Sequence, residues 1–117
     1  DILHAIDSIE SFVVDMDLQA FEADDRTSSA VLRKFEIIGE ATKQVPDSIR
    51  HSYPDIPWRE MAGMRDRLIH FYFGVDYELV WETIERRLPQ VKQHIRQILQ
   101  ELESDRNGDR ASLTDFD

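Results

Sequence analysis

Apolar residues at three- and four-residue steps, three of the four prolines within one short connection, and no alternating pattern predict an all-α bundle of four to five helices. The first helix follows from Ile2, Ile6, Ile9, Val13 and Met16, which fall on one helical face. "DLQAFEADD" reads as a short helical turn and then a polar loop. Val31, Phe35, Ile38, Thr42 and Val45 give the next helix, with Thr27 or Ser28 as its N-cap and Pro46 as its end. "PDSIRHSYPDIP" is a connection with room for at most one helical turn.

Pro57 suits the first position of a third helix, which carries Trp58, Met61, Leu68 and Ile69. That helix is expected to run to Phe73–Gly74, where glycine can take a left-handed stop. Asp76 then caps "YELVWETIERR", with Leu79, Val80, Trp81 and Ile84 facing inward. Pro89 either kinks this helix or starts a last one, built on Val91, Ile95, Ile98 and Leu102. Residues 1–103 form the helical domain, and the polar acidic tail 104–117 has no apolar period and is expected to be flexible.

A chain of 117 residues fits one domain, with a core modest enough for dimerisation to help. Without cysteine there is no disulfide framework, thiolate metal site or thiol nucleophile. The longest apolar runs are a few residues, so nothing spans a membrane, and a soluble cytoplasmic protein is expected. The chain opens directly on a helical pattern, which leaves room for a short segment before it. The formal net charge of −10 argues at first sight against nucleic acid. Its distribution says otherwise. Residues 1–25 hold eight acids and no Lys or Arg, whereas residues 26–100 hold twelve basic against ten acidic residues. The acidic ends serve solubility or dock a basic partner, and the middle is free to meet phosphate.

Several site classes are absent from the sequence. No Glu-x-x-His pair of the di-iron bundles occurs, nor His-Glu-x-x-His, nor a Gly-rich phosphate loop. No metal or other cofactor is expected. His4, His51 and His94 read as surface or near-surface residues. What remains is "GMRDRLIHFYF", which gathers Arg65, Asp66, Arg67, His70 and Tyr72. An imidazole, with a reference pKa of about 6.5, can take the proton of a ribose 2′-hydroxyl. A guanidinium can hold a phosphate through two hydrogen bonds and stabilise the pentacovalent transition state. Such chemistry needs no metal and leaves a 2′,3′-cyclic phosphate. On one straight helix, however, Arg65 and His70 would point about 140° apart, while Asp66 and His70 would share a face. On spacing alone Arg-x4-His is a weak signal, and a salt-bridged surface helix is the default reading.

The phrases "DILHAIDSIESFV", "FEIIGEATKQVP", "IPWREMAGMRDRLIHFYFGVDYELVW" and "FGVDYELVWETIERRLP" resemble the HepT-like family of the HEPN superfamily along nearly the whole chain. These are ribonuclease toxins paired with a minimal nucleotidyltransferase antitoxin. The resemblance implies a HEPN-type dimeric bundle in which the R-x4-H-x-Y motif falls on Arg65, His70 and Tyr72. It implies catalysis by Arg65 and His70, with Asp66 as the supporting polar residue; Arg67 and Arg59, nearby basic residues, are further candidates for contact with RNA phosphate. It also implies a homodimer whose two motifs face one cleft, an RNA substrate such as tRNA or mRNA, and an antitoxin that transfers AMP onto Tyr72. Phe71 stands where many relatives carry an acidic or other polar residue, which makes the cleft more apolar. The alternative is a non-catalytic helical module that docks onto and regulates a nucleotidyltransferase.

Overall fold

The computed structural model describes residues 1–70 and 74–115, with side-chain surroundings given for residues 1–69 and 74–105. Its elements are α1 (Ile2–Phe12), α2 (Leu18–Ala23), α3 (Asp25–Lys43), α4 (Asp47–Ser52), α5 (Trp58–Ala62) and α6 (Met64–Leu68). A two-stranded antiparallel hairpin follows, β1 (Ile69–His70) with β2 (Gly74–Val75). The chain then continues as α7 (Tyr77–Glu82), a π-helical turn (Thr83–Arg87) and α8 (Leu88–Asp115). The molecule is all-α, as its apolar spacing predicts.

The predicted faces pack inward. Ile2, Ile6 and Ile9 of α1 meet Val31, Phe35 and Ile38 of α3, and Val91, Ile95 and Ile98 of α8 join the same core. The start of α1 lies beside the end of α3 and beside residues 95–102 of α8, so α1 runs antiparallel to both. Leu102 is the exception among the expected inward residues, 41% exposed at the rim of this layer. Phe21 of α2 is fully buried against Tyr77 and Trp81, which ties α2 to α7. Buried Thr42 and Thr83 turn their hydroxyls back to the carbonyls of Ile38 and Leu79, each at 2.7 Å, so neither is left unsatisfied.

Several boundaries differ from the sequence reading. α1 stops at Phe12, because the chain turns at Asp15 (φ 63°) before Asp17 caps α2 by accepting from the Ala20 amide at 2.8 Å. The cap of α3 is Asp24, whose carboxylate accepts from the Thr27 amide at 3.0 Å. Thr27 is thus the donor in the cap. α4 is six residues long, somewhat more than the single turn expected of the proline-rich connection. The third helix is interrupted at Gly63 and ends at Leu68, five residues short of Phe73. Gly74 does take a left-handed conformation (φ 78°), but within the hairpin and not as a helix stop. Pro89 sits near the start of α8, inside one continuous helical run. Its ring cannot coexist with a normal α-turn over Glu85, and the wide turn at Thr83–Arg87 relieves that clash. α8 carries the backbone helically to Asp115, through most of the expected tail.

Charge also fastens α1 to α8. Lys92 reaches Asp7 at 2.9 Å and Glu10 at 3.1 Å. The hydrogen bond from Lys92 holds the Asp7 carboxyl below its ordinary value of 3.8, and the bond to Asp7 followed by that to Glu10 raises Lys92. Because the folded Asp7 value is lowered, its contribution to stability is present above about 3.8 and disappears as pH falls through the lower folded value. The Lys92 contribution is present below its ordinary value of 10.5 and disappears as pH rises through the higher folded one. Lys92→Met is therefore expected to lower the melting temperature most between those two values, with the difference from wild type shrinking towards both pH extremes. An unchanged acid limb in the variant would show that the clamp does not contribute there.

Candidate active site

α3 is the platform for the motif. Gly39 lets α3 approach α5 closely, since a Cβ at this position would stand 3.0 Å from the Ala62 carbonyl oxygen. α5 and α6 are thereby seated on α3 through buried Trp58, Met61, Met64 and Leu68. With that face inward, Arg65, Asp66 and Arg67 are exposed on α6 and Arg59 on α5. Arg65 Nε lies 3.9 Å from Glu36 Oε2, and the same carboxylate oxygen meets Arg33 at 3.3 Å. The motif arginine is half exposed and loosely held, free to turn towards a phosphate.

The helix ends where the motif needs a change of direction. Ile69 is extended (φ −120°, ψ 117°), and the Leu68 carbonyl, orphaned by the end of α6, accepts from the Asp76 amide at 2.9 Å. Asp76 in turn accepts from the Leu79 amide and caps α7. His70 stands on β1, paired with Gly74 of β2. The helical-wheel separation of Arg65 and His70 therefore does not apply. Nor does a shared helical face for Asp66 and His70, because α6 ends two residues after Asp66. Tyr72, and Phe71 beside it, lie outside the described residues.

Arg67 belongs to a different neighbourhood from Arg65. Two residues along α6, it points to the opposite flank and lies 3.6 Å from Glu60 of α5. Arg87, from the π-helical turn, meets the same Glu60 oxygen at 2.9 Å. Sequence reasoning singled out neither Glu36 nor Glu60 nor Arg87. Glu36 and Arg87 join the site across a long chain separation, and Glu60 from the neighbouring helix α5, with no spacing signal to announce them. His4 and His51 are exposed, and His94 is half-buried on α8.

The molecule is thus an all-α bundle that exposes an arginine on α6 and carries a histidine on the strand that follows it. Family comparison makes this specific. The family described as "Ribonuclease HepT-like" matches residues 2–98, and the chain belongs to that family. It is 48% identical over 103 residues to the candidate RNase MJ0125 of Methanocaldococcus jannaschii, covering 88% of this chain and 89% of that one. It is 48% identical over 92 residues to the probable ribonuclease HepT of Thermococcus cleftensis, covering 79% and 84%. A candidate RNase of Caldanaerobacter subterraneus, TTE0752, is 40% identical over 99 residues, covering 85% and 88%. No solved structure gives a significant match.

Proposed function

We propose that this protein is the ribonuclease toxin of a toxin–antitoxin pair, an endoribonuclease that cleaves RNA without a metal ion. The observation that carries the reading is an exposed Arg65 on α6 with His70 on the strand that begins where α6 stops. His70 takes the proton of a ribose 2′-hydroxyl. The freed oxygen attacks the adjacent phosphorus, a new P–O2′ bond forms, and the P–O5′ bond breaks. The products are a 2′,3′-cyclic phosphate and a 5′-hydroxyl, which receives a proton. Arg65 binds the phosphate and stabilises the charge that builds on its oxygens in the pentacovalent transition state. Asp66 is the polar residue that supports the pair.

The reading includes a cytoplasmic homodimer whose two motifs line one cleft, and control by a nucleotidyltransferase. In that control step the Tyr72 hydroxyl attacks the α-phosphorus of ATP, pyrophosphate leaves, and AMP remains on the tyrosine. A phosphate next to His70 would fill the cleft and repel RNA. Family membership and the acidic first 25 residues, a suitable docking face for a basic partner, support this part.

The test is purified protein with tRNA or mRNA in the presence of a chelator, with product ends analysed for the cyclic phosphate. Cleavage with cyclic ends is expected. Tight association with the nucleotidyltransferase but no cleavage at any protein concentration would overturn the enzymatic reading in favour of a docking module.

A further inference from the structure

The flank of α6 opposite Arg65 carries a feature that the cleavage chemistry does not use. Arg67 Nη1 and Arg87 Nη1 both lie on Glu60 Oε2, at 3.6 and 2.9 Å. The two guanidinium nitrogens can be no farther apart than those distances together allow. All three side chains are about half exposed, 54% for Arg67, 52% for Arg87 and 51% for Glu60. Beneath them Met64, Leu68, Leu79 and Thr83 form a mostly apolar floor around a small cavity of about 30 Å³. The arginine stems rest on that floor while their heads face water.

Two guanidiniums sharing one carboxylate leave a local charge of +1, and guanidiniums accept a phosphate oxygen with the same kind of hydrogen bond they give a carboxylate. An exposed ion pair contributes little to stability, so exchanging Glu60 for a phosphate costs the fold little. The π-helical turn helps to set this geometry. It shifts the helical register by one residue, about 100° of rotation, just where Arg87 leaves the helix.

We infer that Arg67 and Arg87 form a second phosphate subsite for the RNA substrate, with Glu60 as a resident anion that the substrate displaces. This deepens the ribonuclease reading and rests on it. Because Arg65 and Arg67 leave opposite flanks of α6, the subsite holds a phosphate away from the scissile one, and the RNA crosses α6 between them. Its contribution is to binding and positioning, not to the chemical step.

The experiment measures binding of a labelled single-stranded oligoribonucleotide to the intact protein in a His70→Ala background, over a range of salt concentrations. Steady-state cleavage is followed with His70 present. Arg87→Ala is expected to weaken binding roughly tenfold and to lower the salt slope by about 0.7 for the lost contact. In cleavage it raises KM and leaves kcat within about twofold, as loss of uniform binding requires. Arg87→Lys should restore the salt slope and only part of the affinity, because it returns the charge without the fork. Glu60→Gln is the decisive variant: it should tighten binding clearly more than Glu22→Gln, an exposed carboxylate elsewhere that reads the general charge effect alone, whereas a merely structural ion pair predicts equal gains. Unchanged affinity and salt slope in Arg87→Ala, or binding by Glu60→Gln no tighter than by Glu22→Gln, would overturn the subsite even though the wild type cleaves RNA. A wild type that neither binds nor cleaves RNA would instead overturn the ribonuclease reading, and the subsite with it.

Discussion

Replacing His70 by alanine is expected to lower RNA cleavage by about 10²- to 10⁴-fold, the range for removal of a positioned general base. It should abolish growth inhibition in cells that express the protein alone. The fold should survive, because the β1–β2 pairing of His70 with Gly74 runs through the backbone, which alanine retains. Arg65→Ala is expected to cost a further distinct function, about 10²- to 10³-fold in kcat, the effect of losing one group aimed at developing charge. It should leave the melting temperature nearly unchanged, since its contact to Glu36 is long, exposed and shared with Arg33. Arg65→Lys keeps the charge but not the two-pronged geometry and should fall between the wild type and Arg65→Ala. The measurement is single-turnover cleavage of a defined RNA, with circular dichroism on each variant. Undiminished cleavage by a folded His70→Ala protein would remove His70 from the mechanism.

The long helices were legible in the sequence because burial repeats every three or four residues along them. Ile2, Ile6 and Ile9, or Val91, Ile95 and Ile98, announce a face, and those faces are the ones that pack. The end of α6 was not legible for the same reason. Leu68 and Ile69 continue the apolar spacing of Trp58 and Met61, so local pattern argues for more helix. What stops it is non-local: the pairing of Ile69 with Val75 and the hydrogen bond from the Asp76 amide to the Leu68 carbonyl. This one boundary changes the reading of the site. A straight helix to Gly74 sets Arg65 and His70 about 140° apart, which asks for a loosened helix, a long arginine reach or a cleft shared by two copies. With His70 on an extended strand the helical-wheel angle no longer applies, and the geometric motive for a dimer that the sequence offered lapses. The residue types of the motif could be read from sequence, but their specificity came from resemblance along the chain. Glu60 and Arg87, 27 positions apart, gave no signal at all, because a shared carboxylate is a property of packing.

Phe35→Ala is expected to cost about 3–5 kcal/mol, a large part of the roughly 5–15 kcal/mol that holds a small domain together. Phe35 is fully buried in the core. It lies one turn before Gly39, hence on the face of α3 that meets α5. The cavity left by alanine would sit at the seam that seats α5 and α6, and a rigid backbone contact at Gly39 limits how far that seam can collapse to fill it. Urea denaturation should show a lower midpoint with an unchanged slope, and the melting temperature should fall on the order of 15 °C or more. Phe35→Leu, which keeps most of the volume, should lose much less. The neighbour in sequence, Glu36, points about 100° further round the helix, is partly exposed and lies 3.9 Å from Arg65. Glu36→Gln should therefore leave stability nearly intact while freeing Arg65, so that two adjacent positions on α3 separate fold from site. A Phe35→Ala loss below about 1 kcal/mol would place Phe35 outside the energetic core. It would also remove the argument that α3 is the rigid platform on which the motif arginine is carried.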